Sequence, residues 1–384
     1  MFLDSSAKQL GRGLFAVTTR LCPMGAGRPR VTATERADDA EGGRVAKVRP
    51  HAIQVILVLL AATVSFSALD AVVDGRLVLA GPLSCGDTIT VDTTLDTDLL
   101  DCASNGIVIG GDDITLDLNG HTIDGDGALV DPCPENEVCD VGVVNDGHNG
   151  VRIKGGTVTE FGFGVFLFGA RRNGLSDLST VENVFSGILL VEAARTRVRG
   201  STSSRNAGRD SGVGITLFES HNNRIADNTL SDNAELGIHL IQSDHNYVGH
   251  NRVRRNPEDG IILQGDRNQI VGNRVVRNSI TITLFTDNAH AAGNVVRRNS
   301  VRRAPRGGIA IDPAVERTVV KRNHVSRAGA HGILVGNPTT TLTRNEARNN
   351  HRLGIRAVEG VIDGGGNRAS GNGDARQCVN ISCS

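Results

Sequence analysis

The feature that most restricts how this chain can fold is a short phrase, Gly-Ile-x-Leu, that returns throughout its second half. Its instances start at Gly164, Gly187, Gly214, Gly237, Gly260, Thr281, Gly308, Gly332 and Gly354, in steps of 23, 27, 23, 23, 21, 27, 24 and 22 residues. A nearly constant period of this size marks a repeat architecture whose units pack only on their neighbours. Apolar residues alternate within each phrase, which is the period of a strand. Ile238 and Leu240 are therefore expected to face inward, and His239 outward. Strands this short cannot form hairpins at a constant step, but each can pair with its equivalent one unit later, at about 4.8 Å. The expected fold is all-β: a single-stranded parallel β-helix, or solenoid, of about ten coils with like residues stacked in columns.

Asparagine marks the columns. Asn228, Asn251, Asn273, Asn294, Asn323 and Asn345 are assigned to one column, and Asn233, Asn256, Asn278 and Asn299 to a second. Asn tolerates the left-handed turn conformation, and stacked amides can bond along the axis. No segment after residue 80 carries a long helical apolar stripe, and Gly, Asn and β-branched residues are too frequent for helices. Upstream, Ile107-Val-Ile, Ile114-Thr-Leu-Asp-Leu and His121-Thr-Ile read as first coils, interrupted by a loop at 125–148.

Composition agrees with a stacked aliphatic interior: there is no Trp, one Tyr and ten Phe, too few for an aromatic core. Net charge is -1, so the total points to no partner, but its distribution is uneven. Residues 81–150 hold fifteen acidic residues and no Lys or Arg, while residues 251–327 hold fifteen Lys and Arg against six acidic ones. Such asymmetry steers charged partners, although both regions also read as solvated faces of a rod.

Four segments follow. Residues 1–71 form a leader: an Arg-rich extension, then a basic flank, an apolar run and small residues over about 48–71 that read as a secretory signal peptide. The run is shorter than the ~20 residues of a spanning helix, so cleavage is preferred over a retained anchor. Residues 72–150 hold an N-terminal cap and first coils, 151–370 the repeats, and 371–384 a tail. Beyond the leader six cysteines remain, in sequence-close pairs: Cys85 and Cys102, Cys133 and Cys139, Cys378 and Cys383. An even count near the two ends suggests disulfides that pin them, in an exported protein, whether extracellular or periplasmic. None of the pairs has the C-x-x-C spacing of a metal site.

The run Ile114-Thr-Leu-Asp-Leu-Asn-Gly-His-Thr-Ile-Asp-Gly, followed by Gly-Ile-x-Leu and Asn-x-Val units, resembles the right-handed parallel β-helix superfamily. That group includes pectate lyases, polygalacturonases, alginate epimerases and NosD-type periplasmic proteins. The resemblance spans roughly residues 80–370 and implies a right-handed coil with a groove for polysaccharide, often acidic, outside the stacked strands. Its motifs are those of the fold and not of one activity. Arg152-Ile153-Lys154 matches a polygalacturonase tripeptide without its partner motifs, and Arg302-Arg-Ala-Pro305 matches part of a pectate-lyase motif in which Gly308 replaces the second Arg. A NosD-like copper role is unsupported by the two Met, both in the leader.

Two sets of residues could carry chemistry. Aligning the turn before the Asn column places His221, Asp244, Asp266, Asp287 and Glu316 in one row, and Asn222, His245, Arg267, Asn288 and Arg317 in the next. A lyase or epimerase acting on uronates needs a base and a cation that stabilises the enolate, for which Ca²⁺ could serve. His239, Asp244, His245, Asp266, Arg267 and Asp287 are the candidate catalytic groups, with Gln264 beside them. The competing reading is that each Asp makes a local turn. Arg255, Arg277, Arg298 and Arg327 are assigned to one column, and with Gln264 they are the candidate glycan contacts, since Arg binds carboxylates and sulfates bidentately. Nucleic acid is disfavoured by the scarcity of aromatic stacking platforms. The expectation is an exported monomer that binds an acidic polysaccharide and processes it as a lyase or epimerase, with a non-catalytic surface scaffold as the alternative.

Overall fold

The computed structural model describes residues 82–384 apart from 130–132, 134–137, 209–210 and 287–290, together with two upstream strands. Those strands, Ala71–Val73 and Arg76–Val78, form an antiparallel pair within a unit of their own. The leader expected over residues 1–71 lies outside the described residues except for Ala71.

From Pro82 onward every described element is a strand. A thirteen-stranded sheet, here called the front wall, runs from Asp87–Ile89 to Cys378–Val379 and contains the Gly-Ile-x-Leu phrases. Each strand pairs in parallel with the one a coil later: Ile238 with Ile261, and Ile261 with Ile282. After each front strand come two shorter ones, such as Tyr247–Gly249 and Arg252–Arg254, which form the second and third walls. These also pair rung to rung, Tyr247 with Gln269 and Arg252 with Arg274. The solenoid has about twelve coils, more than the ten expected, because Asp87–Ile89 and Cys378–Val379 add rungs without the glycine phrase.

Ile238, Leu240, Val248 and Val253 of one coil all point into the interior and are fully buried. Burying such side chains contributes roughly 1.5–3 kcal/mol each, so the stack of aliphatic rungs drives folding. The glycine of the phrase is required by space. A Cβ on Gly237 would sit 2.3 Å from Val253 Cγ1 and 3.0 Å from Asn256 Nδ2.

Asparagine turns most corners, in three Asn ladders instead of the two expected, with Thr196, Thr318, Ala304 and Ala328 among the residues that interrupt them. Asn246, Asn251 and Asn256 stand five residues apart, each just after a residue in the left-handed region: His245 (φ 58°), His250 (58°) and Arg255 (55°). The Asn251 amide donates to Asn273 Oδ1 at 3.0 Å and to Ile225 O at 2.9 Å. Its Oδ1 accepts the Asn228 backbone N–H at 3.0 Å and side-chain N–H at 3.1 Å. The middle ladder runs Asn228, Asn251, Asn273, Asn299, Asn323, Asn345 and Asn367.

This corrects two assignments. Asn299 belongs to the middle ladder, and Asn294 caps Asn268 in the first. From the glycine phrase to the first-corner Asn the coil of Thr281 is five residues longer than the one before it, Thr281 to Asn294 against Gly260 to Asn268, so alignment forward from the phrase slips by five. Five residues is one corner, and the slip therefore looks self-consistent in sequence.

The outer face of the front wall is apolar too. Phe163, Phe166, Phe168 and Phe185 pack with ring centroids 5.2–6.4 Å apart, and Val213, Leu236 and Ile262 form a further buried cluster with Phe285. The phenylalanines thus stand mostly outside the coil. Disulfides join Cys85 to Cys102, Cys133 to Cys139 and Cys378 to Cys383. The second lies in the loop between Thr122–Gly125 and Val141–Asp146, and the others are at the ends.

Candidate functional site

The sequence-derived candidates fall on three parts of the coil. His239 and Gln264 stand on the outer face of the front wall, yet each is only 4% exposed. His239 stacks between Thr216 and Ile262, both buried, and its Nδ1 has no hydrogen-bond partner. Burial pushes its pKa down to about 3, so the imidazole is neutral at ordinary pH. The expectation of a solvent-facing histidine is corrected: a strand-outward position here lies within a second apolar layer.

Asp244, His245, Asp266 and Arg267 lie at the first corner, between the front and second walls. His221 Nδ1 accepts the Asp244 N–H at 3.0 Å, Asp244 Oδ1 accepts the Asp266 N–H at 2.7 Å, and Asp266 Oδ1 accepts the Ala292 N–H at 2.7 Å. The row is therefore His221, Asp244, Asp266, Ala292 and Glu316, each of the first three capping the next turn. Ala292 fills the rung assigned to Asp287, and Gly293 that of Asn288; Asp287 and Asn288 lie outside the described residues. In the neighbouring row Arg267 Nη1 stands 3.5 Å from His245 Nε2.

Arg255, Arg277 and Arg327 share the third corner, between the third and front walls, but Arg298 does not. Backbone bonds from Arg277 N to Arg302 O and from Arg303 N to Ser326 O put Arg303 in that column. Arg298 sits at the second corner, below Arg322 and Arg344. This is the same five-residue slip.

Corrected register concentrates the charge. The third wall carries exposed Arg252, Arg254, Arg274 and Arg302, and arginines line both corners that border it. Rungs repeat at about 4.8 Å, so the corner guanidinium groups form a regular row. Arg255 is held by Asp232, with Nε–Oδ1 at 2.5 Å and Nη2–Oδ2 at 2.6 Å, which keeps that carboxyl below its ordinary range. Higher up, Glu346 meets His324 at 2.8 Å and also pairs with Arg348.

The backbone shows that these cations are costly. Among the described residues twelve arginines occupy left-handed φ, including Arg277 (60°), Arg303 (55°) and Arg327 (58°). That conformation disfavours residues other than Gly, Asn and Asp by roughly 1–2 kcal/mol. Sequence reading saw the basic run but not this backbone, because no local signal separates a left-handed Arg from a strand Arg. It also missed Asp259, half-buried at the start of a front strand, whose pKa is pushed up to about 7 chiefly by burial, with its hydrogen bond from Ile280 N opposing. Asn256-Pro-Glu-Asp-Gly reads simply as a turn.

Comparison with known proteins adds the following. The family model described as periplasmic copper-binding protein (NosD) matches residues 104–290, and the right-handed β-helix region model matches residues 250–382. No curated protein matches the sequence. Among solved structures, the catalytic unit of a thermostable GH87 α-1,3-glucanase from Streptomyces thermodiastaticus is 16% identical, over 74% of this chain and 62% of that one, with a TM-score of 0.56. A single-residue variant of a GH87 α-1,3-glucanase catalytic domain in complex with nigerose is 11% identical over 78% and 62%, with a TM-score of 0.51. A double mutant of a periplasmic alginate epimerase is 15% identical over 62% and 59%, with a TM-score of 0.48. The chain thus spans about three-fifths of the length of these structures, and its likeness to the two glucanases is one of fold. The described residues do not fit a copper centre. No three His, Cys, Asp or Glu side chains cluster as ligands among them, and all six of their cysteines are in disulfides. Among the described residues no helix is long and apolar enough to cross a membrane.

Proposed function

Because the chain belongs to the right-handed parallel β-helix repeat proteins, we propose that it is an exported protein that binds an acidic polysaccharide along its third wall. The observation that carries this reading is the placement of arginine at left-handed corner positions. Gly or Asn would satisfy the backbone there at lower cost, yet Arg277, Arg303 and Arg327 follow one another on successive rungs. A solvated surface needs no such row. Guanidinium forks at a regular spacing suit carboxylates or sulfates repeated along a polymer. A neutral glucan would find little aromatic surface on this wall.

The geometry supports binding better than turnover. At the first corner Asp244 and Asp266 spend carboxylate oxygens on turn N–H groups, and buried His239 is neutral. A lyase or epimerase step would have to draw on Asp244, His245, Asp266 and Arg267 across that corner, with Ca²⁺ supplying the enolate's counter-charge.

The test is a titration of polygalacturonate, alginate and a neutral α-1,3-glucan against the wild type and the R277N/R303N/R327N variant. The wild type should prefer both polyuronates, and the variant should bind them at least tenfold more weakly without losing thermal stability. Equal polyuronate binding by the two proteins would overturn the reading. Ultraviolet-absorbing unsaturated products on incubation with Ca²⁺ would establish that a lyase activity accompanies binding.

A further inference from the structure

We infer that the second wall carries a separate site for a sulfate or phosphate group, in a notch between Arg152 and Arg197. Neither residue belongs to the third-wall row, and the inference stands on different side chains from the polysaccharide reading.

Register defines the notch. On the outer face of the second wall Arg152 pairs with Gly174, Gly174 with Arg197, and Arg197 with Arg224. Beside this column run Lys154, Ser176 and Arg199. The middle rung thus presents only Gly174 and Ser176 between two rungs of long cationic side chains. The depression has a volume of about 570 Å³, with Arg172 at its rim and Asp113 as its one lining carboxylate. Arg152 and Arg197 are two rungs, or about 9.6 Å, apart along the axis, so both side chains can reach a group placed over Gly174.

Charge in the notch is poorly neutralised. Lys154 is occupied by Asp117 at 2.6 Å, an ion pair that holds the Asp117 carboxyl below its ordinary range. Arg152, Arg172, Arg197 and Arg199 make no ion pair among the described residues, and against the four guanidinium groups stand Asp113 in the lining and Asp112, whose carboxylate is acted on by Arg172 from outside it. The row continues into Arg224, whose guanidinium lies 4.1 Å from the ring centre of Tyr247.

Nor does the fold require the empty place. A Cβ on Gly174 would have Arg152 Cγ, 3.9 Å away, as its nearest neighbour, and the residue is absent from the left-handed φ region. It differs in this from Gly237, where packing excludes any side chain. The chemical class follows from the donors. Each guanidinium presents a two-pronged fork, and four forks offer more N–H groups than the two oxygens of one carboxylate can accept. A tetrahedral ester group, with three terminal oxygens, uses them better.

The experiment is calorimetric titration of the full chain with sodium sulfate, sodium phosphate and sodium acetate at constant ionic strength. It compares the wild type with Gly174→Glu, R152Q/R197Q and the third-wall variant R277N/R303N/R327N. Sulfate and phosphate should bind the wild type at least tenfold more tightly than acetate does. Gly174→Glu, which places a carboxylate in the notch, and R152Q/R197Q should each weaken both oxyanions at least tenfold at an unchanged melting temperature. The third-wall variant should bind them as the wild type does, so loss of polysaccharide binding there leaves this inference standing. Undiminished binding by Gly174→Glu, acetate binding as tight as sulfate, or no oxyanion binding at all would each overturn it. A sulfated and a phosphorylated monosaccharide then identify the source of the group, the tighter ligand naming it.

Discussion

Asn251 shows how much one side chain does here. Its amide makes four hydrogen bonds across three coils, one of them accepted from a buried backbone N–H of the coil below. Asn251→Ala leaves those groups buried without partners and should cost roughly 2–3 kcal/mol, read as a lower denaturation midpoint. Buried His239 and half-buried Asp259 should shape the acid response. His239 has a folded pKa of about 3, below its ordinary 6.5, so the unfolded chain binds more protons between those values. Its contribution is complete above pH 6.5 and is lost as pH falls toward 3. Asp259 runs the other way: with a folded pKa of about 7 it favours the fold below pH 3.8, and that contribution is lost as pH rises toward 7. The two oppose each other between pH 3.8 and 6.5. His239→Leu should therefore gain stability on acidification through this range, and Asp259→Asn should lose it. Parallel pH-dependent melting curves for the two variants would contradict both assignments.

Among the elements, the front strands were readable from sequence because a glycine with no room for Cβ and two alternating aliphatics repeat in every coil. The corners were only partly readable. Most consist of a left-handed residue followed by an Asn, at five-residue intervals, with Ala304 and Ala328 in the Asn place after Arg303 and Arg327, so a five-residue insertion moves a chain from one corner to the next with little break in the pattern. Asn294, Asn299, Arg298 and Asp287 were all misplaced for that one reason. His239 was misjudged differently: alternation tells which side of a strand a residue takes but not whether that side is wet, and here Leu236 and Ile262 make it apolar. The corner conformation yields its own prediction. Arg277 pays for φ 60° with no compensating backbone bond of its own side chain among the described residues. Arg277→Asn should raise stability by about 0.5–1 kcal/mol while weakening polyuronate binding. Destabilisation by this change would show that the corner arginines are structural.

On the largest scale, the coils from Pro82 onward form a nearly one-dimensional stack in which each rests on its neighbours. Such a rod repeats surface residues at the rung spacing at no extra cost to its core, and this chain uses that regularity to align cations. An acidic N-terminal region precedes the basic coils, so the rod's charge is polar along its length. The most direct test of the account is the salt dependence of polygalacturonate affinity. If rows of guanidinium groups hold the polymer, affinity should fall at least tenfold between 50 and 500 mM salt, and the R277N/R303N/R327N variant should show a clearly shallower decline. Affinity indifferent to salt, or matched by a neutral α-1,3-glucan, would contradict the account.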